Sequence, residues 1–182
     1  MAAPWATPEE LRVHLGLPVI DEVRAAEKIA AAEVVIRGGI RQTVDAVGND
    51  VLHLVGNGRR VINLPEMPVT AVLSVTVDGG LPLLSTGYRV NRHGILTALS
   101  GVWPLDADVV VVYSHGYEVL PPLFKQVCLQ VAGRAWVHAS TAVAAESLGD
   151  RSVTYDKERT GEALTAYEER LLEPYARGPE SR

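Results

Sequence analysis

Five histidines (His14, His53, His93, His115 and His138), a single cysteine (Cys128) and a few carboxylate pairs are the side chains of this 182-residue sequence best suited to chemistry. Their spacing argues against most of it. Zinc sites gather imidazole and thiolate ligands at short recurrent intervals, and the sequence has neither His-Glu-x-x-His nor Cys-x-x-Cys. No metal or cofactor site is expected. His93 and His115 each precede a glycine at the end of an expected strand, so each reads as a turn residue. Cys128 falls on an apolar helical face, which predicts a buried, inert thiol rather than a nucleophile. No Gly-x-Ser-x-Gly elbow signals a hydroxyl nucleophile. Asp106/Asp108 and Glu168/Glu169 would do acid–base work only if buried and convergent. Both pairs are expected to be solvated surface charge. Gly56-Asn57-Gly58-Arg59-Arg60 lacks the third glycine and following helix of a phosphate loop, and it reads as a hairpin turn.

The bulk properties narrow the function further. Arg59-Arg60 and Arg89/Arg92 are local basic groupings without interleaved aromatics, and the net charge is -5 with a pI of about 5.5. Tight binding to DNA or to an anionic membrane is disfavoured, and these arginines read as exposed strand ends. One cysteine can make no internal disulfide, which fits a reducing compartment such as the cytoplasm. No run of about 18 apolar residues and no leader-like start occur, so the sequence predicts a soluble, unsecreted protein. With 47% hydrophobic and 21% charged residues a packed core is expected, and a single Phe means that Val, Leu, Ile and Ala must build it.

The elements that would position these residues are legible from caps and periodicity. Thr7-Pro8-Glu9-Glu10 opens a short helix that Gly16 and Pro18 close. Asp21 caps a second, with Val23, Ala26, Ile29, Ala30, Val34 and Ile36 at helical spacing, which Gly38-Gly39 should end. From Arg41 the period shortens: a strand over 43–47 precedes a Gly48-Asn49-Asp50 turn, and further strands are expected at 51–55, 59–64, 69–77, 88–90, 95–99 and 109–113. Gly- and Pro-rich separators suit hairpins, which points to an antiparallel sandwich or small barrel. Pro121-Pro122 opens a long central helix carrying Phe124, Val127, Cys128, Val131 and Ala132. A loop over 142–157 holds a possible short strand at 152–155. A last amphipathic helix over 162–175 places Leu164, Tyr167, Leu171 and Leu172 on one face, and the polar tail from Gly178 to Arg182 has nothing of its own to pack on. The fold class is therefore α+β: two N-terminal helices, a long central helix and a C-terminal helix form a helical core with an inserted antiparallel β-rich subdomain.

Several phrases recur in a telling order: Ala6-Thr-Pro-Glu-Glu-Leu11; Leu64-Pro-Glu-Met-Pro-Val-Thr-Ala-Val72; Ser74-Val-Thr-Val-Asp-Gly79; Tyr88-Arg-Val90; and His93-Gly-Ile-Leu96. Val109 to Tyr113 then runs into Ser114-His-Gly-Tyr117 and Leu120-Pro-Pro122, and Glu146-Ser-Leu-Gly-Asp150 leads to Ser152-Val-Thr-Tyr155. This ordered set resembles the head-to-tail connector, or adaptor, proteins of long-tailed bacteriophages that infect actinobacteria. The resemblance implies one connector domain over 1–182, a β-rich insertion at 41–115 and a docking tail at 171–182. It further implies a non-enzymatic virion protein of the head–tail neck, assembled in the host cytoplasm. Copies would form a ring, usually twelve-fold, below the portal protein, with a stopper or tail-completion protein beneath and DNA passing without specific binding. In related connectors the C-terminal segment reaches onto the portal, which carries that role to Leu171, Leu172, Tyr175, Arg177 and Arg182. A stopper or tail-completion component would follow the same ring logic. A β-sandwich module for a carbohydrate or host surface would instead need exposed aromatics, and its one candidate, Trp103 in Gly-Val-Trp-Pro-Leu, is expected to be packed.

Overall fold

Local capping sets the first helices. In the computed structural model, which describes residues 3–141 and 163–177, the Thr7 hydroxyl accepts the Glu10 N–H at 3.2 Å while the Glu10 carboxylate accepts the Thr7 N–H at 2.9 Å. This reciprocal box and Pro8 in the first turn start α1 (Pro8–Leu15), and Gly16 ends it at φ 66°. The Asp21 carboxylate accepts the Arg24 N–H at 3.1 Å and starts α2 (Glu22–Ile40). This helix does not stop at Gly38-Gly39 as expected; it runs on to an Arg41 cap at φ 58°. The reason is tertiary: a Cβ on Gly39 would sit 2.5 Å from Leu164 Cδ1. The glycine lets Leu164 close onto the helix, and that packing outweighs the propensity cost of about 1 kcal/mol.

α3 (Pro122–Thr141) follows the double proline, and α4 (Ala166–Leu172) precedes a short 3-10 turn, Glu173–Tyr175. The last helix starts later than the expected 162, at a second capping box. Thr165 accepts the Glu168 N–H at 3.3 Å, and Glu168 accepts the Thr165 N–H at 2.9 Å. Pro174 has no N–H to extend the α ladder, so the helix tightens there. The expected strand at 152–155 lies outside the described residues.

The chain divides into two compact units, Met1–Arg41 with Leu120–Ala176 and Gln42–Val119 with Arg177–Arg182. In the helical unit the buried side chains are aliphatic around two aromatic contacts. Trp5 meets Phe124 edge-on at 5.4 Å, and Phe124 meets Tyr175 at 5.0 Å. Ile29, Ile36, Val127, Cys128 and Val131 complete that core.

The β unit holds six strands: β1 (Val47–Val55), β2 (Val61–Asn63), β3 (Val69–Val77), β4 (Tyr88–Val90), β5 (Ile95–Ala98) and β6 (Asp108–His115). They form two antiparallel three-stranded sheets, ordered β1-β6-β3 and β2-β5-β4. One core of Leu64, Val75, Leu96, Trp103, Val111 and Tyr113 joins them. The α+β class with an antiparallel insertion is thus the observed one. Two details differ from expectation. Thr43–Ala46 makes no strand, only a parallel bridge from Asp45 to Tyr117. Gly48-Asn49-Asp50 is not a turn between strands but a bulge inside β1, where pairing with β6 shifts between Val47 and Asp50 and Asn49 sits at φ 56°. Asparagine tolerates that left-handed conformation, so the chain bends without leaving the sheet.

Candidate functional site

The residues expected to face a partner fall in both units. Leu172 is buried and Leu171 half-buried on α4, and Tyr175 is the ring that packs on Phe124. Arg177 belongs to the β unit, and Arg182 lies outside the described residues. Leu172 and Tyr175 therefore belong to the helical unit, and Arg177 to the β unit. The face of α4 also differs from the expected one. Tyr167 is 65% exposed, and Glu168, read as surface charge, is buried in its place. The parity is Leu164, Glu168, Leu172, a spacing of four.

Glu168 is buried because every demand of its carboxylate is met. Arg134 of α3 donates to it through Nη1 at 2.6 Å and Nη2 at 2.9 Å, and the Thr165 backbone completes the set. Burial pushes its pKa up, yet the Arg134 and Thr165 hydrogen bonds outweigh that and hold the carboxyl below the usual 4.5. The pair borders a cavity of about 640 Å³ with His14, Gln130, His138 and Tyr167 on its wall. A neutralised ion pair at the rim leaves no net charge there to recruit an ion. Among the described residues no group of histidine, cysteine and carboxylates could hold a metal.

Cys128 is fully buried, with Sγ 3.9 Å from the Ile29 carbonyl. Burial, and secondarily the charge of Glu33, pushes its thiol up to about 12, so almost no thiolate exists at neutral pH. Glu33 is a second buried carboxylate: it accepts the Trp5 N–H at 2.8 Å and pairs with Arg37 at 3.1 Å, one helical turn on. The Arg37 guanidinium also lies 4.4 Å over the Trp5 ring.

In the β unit a polar group forms at the end of β6. His115 is not the turn residue its glycine neighbour suggested. Its ring is buried, Nε2 stands 3.3 Å from Asp50 Oδ2, and it packs tilted against Tyr113 at 5.0 Å. The reason is strand parity, because β6 continues to His115 and places it on the inner face with Val109, Val111 and Tyr113. His93 does stay in an exposed turn. Burial pushes the Tyr113 hydroxyl up to about 12, with the negative charges of Asp50 and Glu66 adding to it. Burial lowers the Arg177 pKa, and Glu66 and Tyr113 oppose that shift. Glu66 and Tyr113 thus offset part of the cost of burying Arg177. Glu66 also accepts the Thr43 N–H at 2.6 Å, and Gln42 accepts the Met67 N–H at 3.1 Å, tying the start of the unit to the β2–β3 connection.

In the helical unit the buried carboxylates Glu33 and Glu168 each pair with an arginine, Arg37 and Arg134. Asp106 and Asp108 do not converge on a buried site: Asp108 is exposed and faces His53 at 3.2 Å. Trp103 is buried in the β core, so the aromatic that a carbohydrate face would need is absent from that surface. Arg59, Arg60, Arg89 and Arg92 are exposed. Gln42, Glu33 and Glu168 escaped the sequence reading, although Glu33–Arg37 is a visible i,i+4 pair and Thr165-x-x-Glu168 a visible capping box.

The arrangement defines an α+β chain whose buried polar groups serve structure. Its fold is shared with chains of a gene transfer agent (GTA) particle. One, in the neck of an empty GTA particle computed with C6 symmetry, is 17% identical and aligns over 98% of this chain and 93% of its own length, with a TM-score of 0.56. A second, in the virion of the native particle, has the same identity and coverage and a TM-score of 0.57. A third, in the native neck with C12 symmetry, is likewise 17% identical over 98% and 93%, with a TM-score of 0.52. At this identity the likeness is one of fold. No protein-family model and no curated protein matches the sequence.

Proposed function

We propose that this protein is a structural subunit of a virion neck: an adaptor that forms a ring below the portal, joins head to tail and surrounds the path of the DNA. The observation that carries the reading is the near end-to-end likeness to chains found in the neck of a phage-like particle, 98% of one chain against 93% of the other. The order of sequence phrases supports it independently. So does the chemistry: the buried carboxylates Glu33 and Glu168 are each spent on an arginine that packs the helices, which suits a role of support.

The partners in this reading are the portal protein, neighbouring copies in a ring of about twelve, and a stopper or tail-completion protein. The portal-facing element is the segment from Leu171 to Arg182. Leu172 and Tyr175 contribute by anchoring it from within, and residues 176–182 make the contact. A net charge of -5 suits a passage for DNA, since like charges form no phosphate contacts that would stall it. No helix among the described residues is long and apolar enough to cross a membrane.

Mixing the purified chain with the portal protein of the same particle, then measuring complex mass and imaging the particles, tests the reading. The expected result is a ring of this chain stacked on the portal. A folded, full-length sample that leaves the portal bare at micromolar concentration would remove the adaptor role.

A further inference from the structure

Among the described residues, the β unit presents two surfaces with exposed apolar side chains. The first is the outer face of the β1-β6-β3 sheet. Side chains alternate between faces along a strand, and the buried set of β6 is Val109, Val111 and Tyr113, so Val110 and Val112 point outward. The register sets Val51 and Ser74 on either side of Val112. Val51 and Val55 are 56% and 69% exposed, and Leu73, at the bulge in β3, is 55% exposed. An antiparallel sheet with one face in water alternates apolar with polar residues. β6 instead reads Val109-Val110-Val111-Val112, the pattern of a strand covered on both faces. On the edge strand of this face His53 Nδ1 stands 3.2 Å from Asp108 Oδ1.

The second surface is the connection between β3 and β4. From Gly79 to Gly87 it carries no charged residue, and Leu81 and Leu84 are 90% and 78% exposed. It is not a loose loop. The Leu83 N–H donates to the Val75 carbonyl at 2.8 Å, and Gly80 and Gly87 close turns at its two ends onto Val77 and Leu84. The arm is thereby pinned along β3, and its leucines stay off their own sheet. Because it is already ordered by hydrogen bonds, seating it elsewhere costs little further entropy.

A closed ring of identical chains needs two different surfaces that fit each other, one on each side of the subunit. We propose that Leu81 and Leu84 of one copy seat on the outer valine face of the β1-β6-β3 sheet of a second copy. The occupant is a second copy because the same unit carries both halves: an uncharged arm with exposed leucines, and a sheet face on which Val51, Val55, Val110 and Val112 stand among His53, Ser74 and Thr76 and which that arm does not cover. The contact is heterologous, so each copy donates an arm to one neighbour and accepts an arm from the other. This inference builds on the ring reading above and names the surface that would close it.

Two variants separate the halves. V51E/V55E charges the face on edge strand β1 and leaves the central strand intact, and L81E/L84E charges the arm; unchanged circular dichroism checks that both fold. Association is read by sedimentation velocity and native mass spectrometry from about 10 μM to about 1 mM. The wild-type chain is expected to form growing oligomers, and each variant alone to associate at least about tenfold more weakly. Mixed in equal amounts, the two variants retain one good arm and one good face between them, so they should form one-to-one dimers and stop there. Association of either variant as strong as wild type, a wild-type chain monomeric throughout, or a mixture without dimers overturns the proposal. The portal experiment keeps the two readings apart. Rings on the portal formed equally by both variants would sink the leucine–valine contact and leave the adaptor role standing, whereas no ring from the wild type is the failure of that role.

Discussion

Arg134 of α3 and Glu168 of α4 join through two parallel hydrogen bonds of 2.6 and 2.9 Å, with the Glu168 side chain only 3% exposed. The carboxylate at the same time closes the capping box that starts α4. One residue therefore both begins the helix and fastens it to the central one.

Glu168→Ala removes the cap and takes the carboxylate away from a half-buried guanidinium, which should cost about 2–4 kcal/mol in urea unfolding. The pH dependence has a definite sign. The folded pKa of Glu168 lies below the ordinary 4.5, so its stabilisation is complete above that value and is lost as pH falls through the folded pKa. The gap in stability between wild type and Glu168→Gln should then shrink as pH drops below 4.5. A gap independent of pH would mean that the pair adds no charge-dependent stability.

The double glycine in α2 offers a test with opposite signs at adjacent positions. Nothing lies within 4 Å of a Cβ added at Gly38, so Gly38→Ala should stabilise by about 0.5–1 kcal/mol through helix propensity alone. At Gly39 the added Cβ meets Leu164 Cδ1 at 2.5 Å, and Gly39→Ala should lose that gain and a further 1 kcal/mol or so as Leu164 is displaced. Thermal unfolding of the two single variants decides it, and equal shifts would contradict the close packing of Leu164 on α2.

These glycines also show where the sequence stopped being legible. Elements set by neighbours in the chain were readable: the Thr7 box and Gly16 cap define α1, and β3 and β4 fall on the expected residues. Elements set by distant residues were not. Gly38-Gly39 looks like a helix stop until Leu164 is packed against it. Asn49 looks like a turn until β6 pairs on both sides of it. His115 could have been found from sequence, since counting by twos from Val109 reaches it on the inner face, as could Glu168 from the Thr165-x-x-Glu168 phrase. Arg134, its partner 34 residues away, carries no local signal. For the candidate site, the tail residues were readable as an amphipathic helix end, but that Tyr175 spends its ring on Phe124 depends on a packing no spacing reveals.

Cys128 should be inert to thiol reagents in the folded chain. Its thiol is pushed up to about 12 and its side chain is fully buried, so both the thiolate and the path to it are lacking. Labelling by a maleimide at pH 7 is expected to follow global unfolding, with a rate that rises in step with denaturant. Rapid labelling of native protein would show that the α2–α3 packing opens locally.

Arg177 stands at the start of the tail, and the carboxylate of Glu66 in the β unit favours its charge against the cost of burial. If the guanidinium is held there chiefly by Glu66, the two residues must be energetically coupled. Glu66→Gln keeps an acceptor for the Thr43 N–H but removes the charge, and should destabilise by about 1–2 kcal/mol; Arg177→Met alone should cost about as much. The double variant should then lose less than the sum by about 1 kcal/mol, because neither leaves the other buried and unpaired. Additive losses would release Arg177 from this role and make it free to serve the portal-facing segment directly. Coupling, in contrast, would mean that Arg177 serves the β unit before it serves any partner.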